Sequence, residues 1–289
     1  MNYIWHILIM INIYIILGLS LNLLVGYTGL LTMSHAAFYG IGAYISTLLL
    51  MNLHVPYPIS IIAAIIGAIL LSFLISIPSL RLKGDYFVLG SLGFQIIVFT
   101  ILYNWVDVTK GPYGIPGIPR PSVFGFEVDG LIPFFIFSGL LAGICAGLLY
   151  LIGKSPFGRI LKTIREDEIA TESLGKNVTW FKVTSFAIAS GFAAISGVLF
   201  AGYMQYIDPT SFTLMESVFI LSMIIIGGTG NLVGPLIGTV FMILLPEGLR
   251  FVHIPDAIAA NMRQIIYGIL IILMMMFRPQ GIKGDYRLE

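Results

Sequence analysis

The sequence predicts an all-α polytopic membrane protein, a bundle of about eight to nine transmembrane helices. Three observations predict it. The 289 residues are 58% hydrophobic and only 10% charged, against about 25% charged in a soluble domain. No Lys, Arg, Asp or Glu occurs before Arg81. Apolar runs long enough for helical crossings recur along the chain without the period-2 alternation of barrel strands. Helices also satisfy their own backbone polar groups, as a lipid-spanning segment must.

Nine apolar segments follow in order: 3–24, 35–51, 58–78, 86–103, 131–152, 183–203, 216–227, 235–251 and 264–278. The first has no basic n-region and ends in Gly26-Tyr27-Thr28-Gly29 rather than a small-residue cleavage site, so it is expected to be a retained span. The whole of 1–289 is expected to form a single transmembrane domain. The sole cysteine, Cys145, lies in an apolar run and excludes a disulfide framework.

Polar breaks interrupt the apolar sequence near 26–34 and 227–234. Gly26 to Leu31 and Gly227 to Leu232 align as GxTGxL, 201 residues apart, and Lys83-Gly84-Asp85-Tyr86 recurs as Lys283-Gly284-Asp285-Tyr286. A genuine repeat would be parallel; chance matches in a glycine-rich chain are the competing account. Glycine-rich breaks at membrane depth must be buried in protein or line a watery cavity, where transporters often place substrate. A tight turn at the bilayer surface is the plainer reading. Candidate pathway residues are Tyr27, Thr28, Ser34, His35, Thr229 and Asn231. A lone histidine at a helix start, such as His35, is more often simply hydrogen-bonded. The loop 104–130 is rich in Gly and Pro and is a connector by default, or a cap over the outer mouth.

Ten of the chain's twenty-nine charged side chains fall between Lys154 and Lys182. Placing this island in the cytoplasm puts eleven Lys and Arg residues inside and four outside, the expected bias. Ser155 then caps a helix with Pro156 at its first position. Phe157, Ile160, Leu161 and Ile164 share its apolar face. A second short helix runs from Glu168 to Leu174 and stops at Gly175, and Thr179 is the expected cap of the next span. Arg159, Lys162 and Arg165 precede Glu166, Asp167, Glu168 and Glu172. An anionic membrane would attract the first group and repel the second, whereas a soluble partner of mixed charge could use both. A solvated loop is the alternative.

Gly139, Gly143 and Gly147 repeat GxxxG, and small residues also line 183–203; both patterns suit close helix–helix contact. Glu216 and Glu247 sit at segment ends, so no charge is expected at mid-span. An ion-coupled carrier would be expected to hold one, which favours energy supplied from outside the chain. No basic stripe for nucleic acid, catalytic constellation or P-loop occurs.

These stretches, taken together, resemble a known family. They are NLLVGYTGLLTMSHAAFYGIGAY at 22–44, LRLKGDYFVLGSLGF at 80–94, TKGPYGIPGIPRP at 109–121, SPFGRILKTIREDEIATESLG at 155–175, IIIGGTGNLVGPLIG at 224–238 and FRPQGI at 277–282. The chain is similar to the permease subunit of branched-chain amino-acid ABC transporters, the Liv type. The resemblance implies a multi-pass protein of a prokaryotic cell membrane, embedded in lipid, importing branched-chain or related small polar amino acids. It implies a second permease chain (usually a related one, giving a heterodimer), two cytoplasmic ATPases that carry ATP and magnesium, and an extracytoplasmic amino-acid-binding protein. This chain itself would be no enzyme and hold no cofactor. The island, through Arg159, Lys162, Arg165, Glu166, Asp167, Glu168, Glu172 and Gly175, corresponds to the ATPase-coupling segment. Ala170 and Gly175 fit the EAA-Gly pattern of ABC importers, whose following Leu-Pro is missing here. The family label also covers permeases for urea and short amides. An ion-coupled carrier or channel acting alone is the alternative from the residues.

Overall fold

The computed structural model describes residues 2–79, 84–123, 126–250, 256–278 and 280–284. Its helices are α1 (Asn2–Asn22), α2 (His35–Asn52), α3 (Tyr57–Ser79), α4 (Asp85–Asn104), α5 (Val106–Thr109), α6 (Leu131–Lys154), α7 (Pro156–Glu166), α8 (Glu168–Ser173), α9 (Val178–Met204), α10 (Leu214–Gly227), α11 (Val233–Arg250) and α12 (Asp256–Phe277). Two-residue strands β1 (Ile115–Pro116) and β4 (Tyr206–Ile207) pair, as do β2 (Ser122–Val123) and β3 (Phe126–Glu127). Five stretches are long and apolar enough to cross a membrane: Asn2–Thr28, Tyr57–Ser79, Asp85–Asn104, Leu131–Lys154 and Val178–Met204. The nine expected apolar segments each correspond to a helix. Arg81, Lys83 and Asp285 to Arg287 lie outside the described residues.

The middle of the bundle is α9 packed on α2 and α3. Small residues make that possible. A β-carbon at Gly197 would run into the Tyr39 carbonyl, and one at Gly42 into the Ala194 backbone, so the two helix backbones nearly touch. Phe38, Tyr39, Phe186, Phe200 and Phe212 fill the remaining core with edge-to-face and tilted ring contacts. Core serines bond within their own helices: Ser60 to the Tyr57 carbonyl at 2.8 Å, Ser72 to Ile69 at 2.7 Å and Ser190 to Ala187 at 2.8 Å. These three hydroxyls are satisfied without reaching lipid.

The second small-residue stripe behaves differently. Among the described residues, nothing outside the helix's own backbone comes within 4 Å of where a β-carbon would stand at Gly143 or Gly147, whereas Gly139 meets Asn12. The GxxxG pattern of 131–152 therefore makes no close intrachain contact at two of its three glycines, because α6 meets α1 on a different face.

The two ends of the bundle are distinct. At one, β1 pairs with β4 (Ile115 opposite Ile207), so the Gly/Pro loop 104–130 folds over the segment after α9. At the other, α7, both glycine breaks and residues 280–284 come together. The second end carries the Lys and Arg excess, and parity assigns all its elements to the inside.

Candidate functional site

The island folds as its sequence suggests, apart from one cap. Ser155 accepts a hydrogen bond from Gly158 N at 3.2 Å and starts α7; Asp167 accepts from Ala170 N at 2.9 Å and starts α8. Gly175 stops α8 with φ +76°. The cap of α9 is Asn177, not Thr179: its Oδ1 takes the Trp180 N–H at 3.0 Å, since the helix begins at Val178. Leu161 and Ile164 of α7 are buried with Leu19, Leu23, Tyr27 and Leu149. The amphipathic helix is thus pinned to the bundle, and Phe157 stacks beside Phe181 with ring centres 5.4 Å apart.

The island's charges divide by direction. Arg165 turns inward: one guanidinium nitrogen donates to the Gly26 carbonyl and the other to Glu166 Oε1 at 2.7 Å, and its side chain is only 8% exposed. A β-carbon at Gly29 would lie 2.9 Å from Arg165 Cγ. Lys162 places its ammonium 4.9 Å from the centre of the Tyr27 ring, a cation–π contact. Glu168 bonds Lys182 at 2.6 Å. Arg159, Glu166, Asp167, Glu172 and Gly175 face outward. So do two apolar residues that the charge pattern hid, Ile169 (76% exposed) and Leu174 (77%).

The first break begins as a wide π-helical extension of α1, Leu23–Thr28, closed by left-handed Gly29 at φ +74°. The second, 228–232, joins α10 to α11. Asn22 ties them: its Nδ2 donates to the Asn231 carbonyl at 2.7 Å and its Oδ1 accepts from Gly230 N at 3.2 Å. Asn231 Nδ2 in turn donates to the Lys283 carbonyl at 2.8 Å. The tail caps α10, since Ile282 N and Lys283 N both donate at 2.9 Å to the carbonyls of Ile226 and Gly227. Arg165, Gly26, Asn22, Gly230, Asn231 and Lys283 thus form one connected junction at the inner end.

The expected pathway residues lie in or near this packed junction. Tyr27 and Thr28 are buried beneath α7, with the Thr28 hydroxyl on the Leu23 carbonyl at 3.0 Å. Thr229 is buried. Ser34 bonds Thr32 at 2.9 Å and His35 bonds Ser20 at 2.8 Å. Among the described residues the two breaks pack against each other, while Ser34 and His35 make their hydrogen bonds away from that contact. An open groove of about 640 Å³ lies elsewhere, between α2, α3 and α4, and is lined by apolar groups such as Ile45, Leu74, Phe94 and Ile97.

Sequence reasoning missed a second arrangement, at mid-depth. Gln95 is ten residues into the twenty of α4, hence about 15 Å from the helix start. Its Oε1 accepts from Ala37 N at 2.7 Å and from Ser217 Oγ at 3.3 Å, and its Nε2 donates to the Phe212 carbonyl at 2.8 Å. Ser217 Oγ also accepts from Ala36 N at 3.0 Å. The N-termini of α2 and α10 therefore meet in the bundle interior. Glu216, in the first turn of α10, accepts from Tyr14 at 2.6 Å. Tyr14 is twelve residues into α1, about 18 Å down, so a carboxylate does lie at mid-span. The available signal was the length of segment 216–227, too short to cross a bilayer. With Glu216 there, scarcity of charge no longer argues against an ion-coupled carrier.

The model of the family described as branched-chain amino acid transport system / permease component matches residues 3–275. A LivM described as a high-affinity branched-chain amino acid transport system permease protein, from Salmonella typhimurium, is 34% identical over 94% of this chain and 68% of its own length. The probable LivM of Methanocaldococcus jannaschii is 27% identical over 96% of this chain and 92% of its own, and the probable LivH of that organism 22% over 94% and 89%. No solved structure matches. A family match spanning nearly the whole chain joins a helical bundle whose breaks and charged island meet at one end; the chain belongs to the family of branched-chain amino acid transport permease components.

Proposed function

We propose that this permease works in an ATP-driven importer of branched-chain amino acids, with a second related permease chain, two cytoplasmic ATPases and an extracytoplasmic binding protein. The observation that carries the ATPase partner is the pairing of an anchored base with an exposed apolar tip. Ile169 and Leu174 project from α8 among Glu166, Glu172 and Gly175, beyond the apolar length of the spans. Exposed side chains of that size amid charge suit a protein surface better than water or lipid headgroups.

The base supplies the lever. Closure of the ATPases displaces α7 and α8; Arg165 carries the displacement to Gly26, and Asn22 passes it to the second break and α10. Access to the pathway then alternates by shifts of packed helices. No group of this chain forms a covalent bond in the cycle.

Reconstitution in liposomes tests the reading. Uptake of leucine, isoleucine or valine should require co-reconstituted ATPase, second permease and binding protein, together with ATP inside. The second reading, an ion-coupled carrier, draws on Glu216 and requires uptake by this chain alone under an ion gradient. A panel including urea and acetamide fixes the solute class.

A further inference from the structure

We propose that the surface formed by residues 208–216 is a wall of the water-filled translocation pathway, reaching the middle of the membrane. After α9 ends at Met204 and β4 pairs with the outer loop, the chain turns back into the bundle. Phe212 is already level with Gln95, the middle of α4. Residues 208–213 reach this depth without α-helical backbone: a 3₁₀ turn, Pro209–Phe212, precedes the extended Thr213. Non-helical backbone at that depth is tolerated only against protein or a watery cavity.

Here the surface is open. Met215 is 57% exposed and Thr210 is exposed. The N–H groups of Glu216 and Ser217 return to the Thr213 carbonyl at 3.1 and 3.4 Å, and the Thr213 side chain caps nothing. Leu214 and Met215 N–H are left without an acceptor among the described residues. The contrast with α2 is direct: its Ala36 and Ala37 N–H groups, at a similar level, each receive a side-chain acceptor. Two bare N–H groups facing hydrocarbon would cost several kcal/mol each. Water relieves that cost, and lipid cannot.

The chemistry of the wall fits its use. Leu214 and Met215 supply apolar surface, and Glu216 adds a carboxylate within the same helical turn. The Tyr39 hydroxyl is fully buried and has no hydrogen-bond partner among the described residues, and its ring centre lies 5.0 Å from that of Phe212. Apolar surface beside isolated polar groups suits an aliphatic solute with charged ends. The inference deepens the importer reading and rests on it.

The test is thiol labelling of the assembled complex in membrane vesicles, in a Cys145→Ser background. Met215→Cys, or Thr210→Cys should the first fail to assemble, is compared with Ile96→Cys, whose residue is comparably exposed (48%) near the same depth on α4 and outside the apolar groove. A charged, membrane-impermeant thiosulfonate needs the thiolate, which forms in water and not in lipid, so the wall position should react roughly tenfold faster or more. Reaction no faster than at Ile96 overturns the proposal. So does oxidative cross-linking of Met215→Cys to a neighbouring permease cysteine without labelling, which marks a dry interface. Uptake measured on the same vesicles separates failure of the wall from failure of the transporter itself.

Discussion

Asn22 grips the backbone of Asn231 from the opposite half of the chain, donating to its carbonyl at 2.7 Å while accepting from Gly230 N at 3.2 Å. One buried amide thereby satisfies a carbonyl and an N–H that the glycine break leaves without helical partners. Replacing Asn22 with Leu should orphan both at a cost of about 1–3 kcal/mol each. The expected outcome is a lower melting temperature of the purified complex, and uptake reduced more than ATP hydrolysis. An unchanged melting temperature would show that Asn22 is not the clamp.

Arg165 joins α7 to the first break through the Gly26 carbonyl, its side chain buried away from the surface that α8 exposes. Lys cannot reproduce a planar guanidinium that serves Gly26 and Glu166 together. Arg165→Lys should leave ATPase recovery intact and raise the ATP consumed per solute imported. Arg165→Ala should go further and lower stability, since it also removes side-chain packing against Gly29. Simultaneous measurement of phosphate release and solute uptake in proteoliposomes checks both; tight coupling in the Lys variant would show the link to be dispensable.

If α8 is the gripped tip, its apolar side chains carry the affinity. Ile169→Glu with Leu174→Glu should cut recovery of the ATPase subunit in pull-downs by tenfold or more, the loss of about 1.4 kcal/mol or more of binding. Membrane insertion should not change, because neither residue packs on the bundle. Single reversals at Glu166 or Glu172 should mainly shift the salt dependence of association. Full ATPase recovery with the double variant removes the docking role.

Much of this was legible in the sequence, and the exceptions share a cause. Apolar runs and Lys/Arg bias locate helices because lipid enforces both locally. The cap of α7 was readable because Ser155-Pro156 acts within four residues. What one-dimensional reading could not supply was depth and direction. Glu216 opens its segment, which suggested the surface, yet α10 begins in the interior because residues 205–213 fold inward. Arg165 belongs to a charged run, yet helical phase turns it toward Gly26. Gln95 is a lone amide in an apolar segment, and only tertiary placement makes it the partner of two helix N-termini.

The two glycine stripes separate the same way and give a paired prediction. Gly197 and Gly147 both look like close-packing positions, but only Gly197 has a helix against it. A β-carbon there would run into the Tyr39 carbonyl of α2, backbone that cannot rotate aside. Gly197→Ala must push α2 and α9 apart, at about 1–3 kcal/mol for overpacking, and should lower the melting temperature. Gly147→Ala meets open space and should be neutral to slightly stabilising in the isolated chain, since Ala favours helix over Gly by about 0.8–1.0 kcal/mol. The isolated and assembled forms then differ usefully. Should Gly147→Ala destabilise only the complex, the α6 stripe is buried against a neighbouring subunit; equal neutrality in both forms leaves that stripe facing lipid. Unchanged stability in Gly197→Ala would contradict the tight α2–α9 contact on which the core depends.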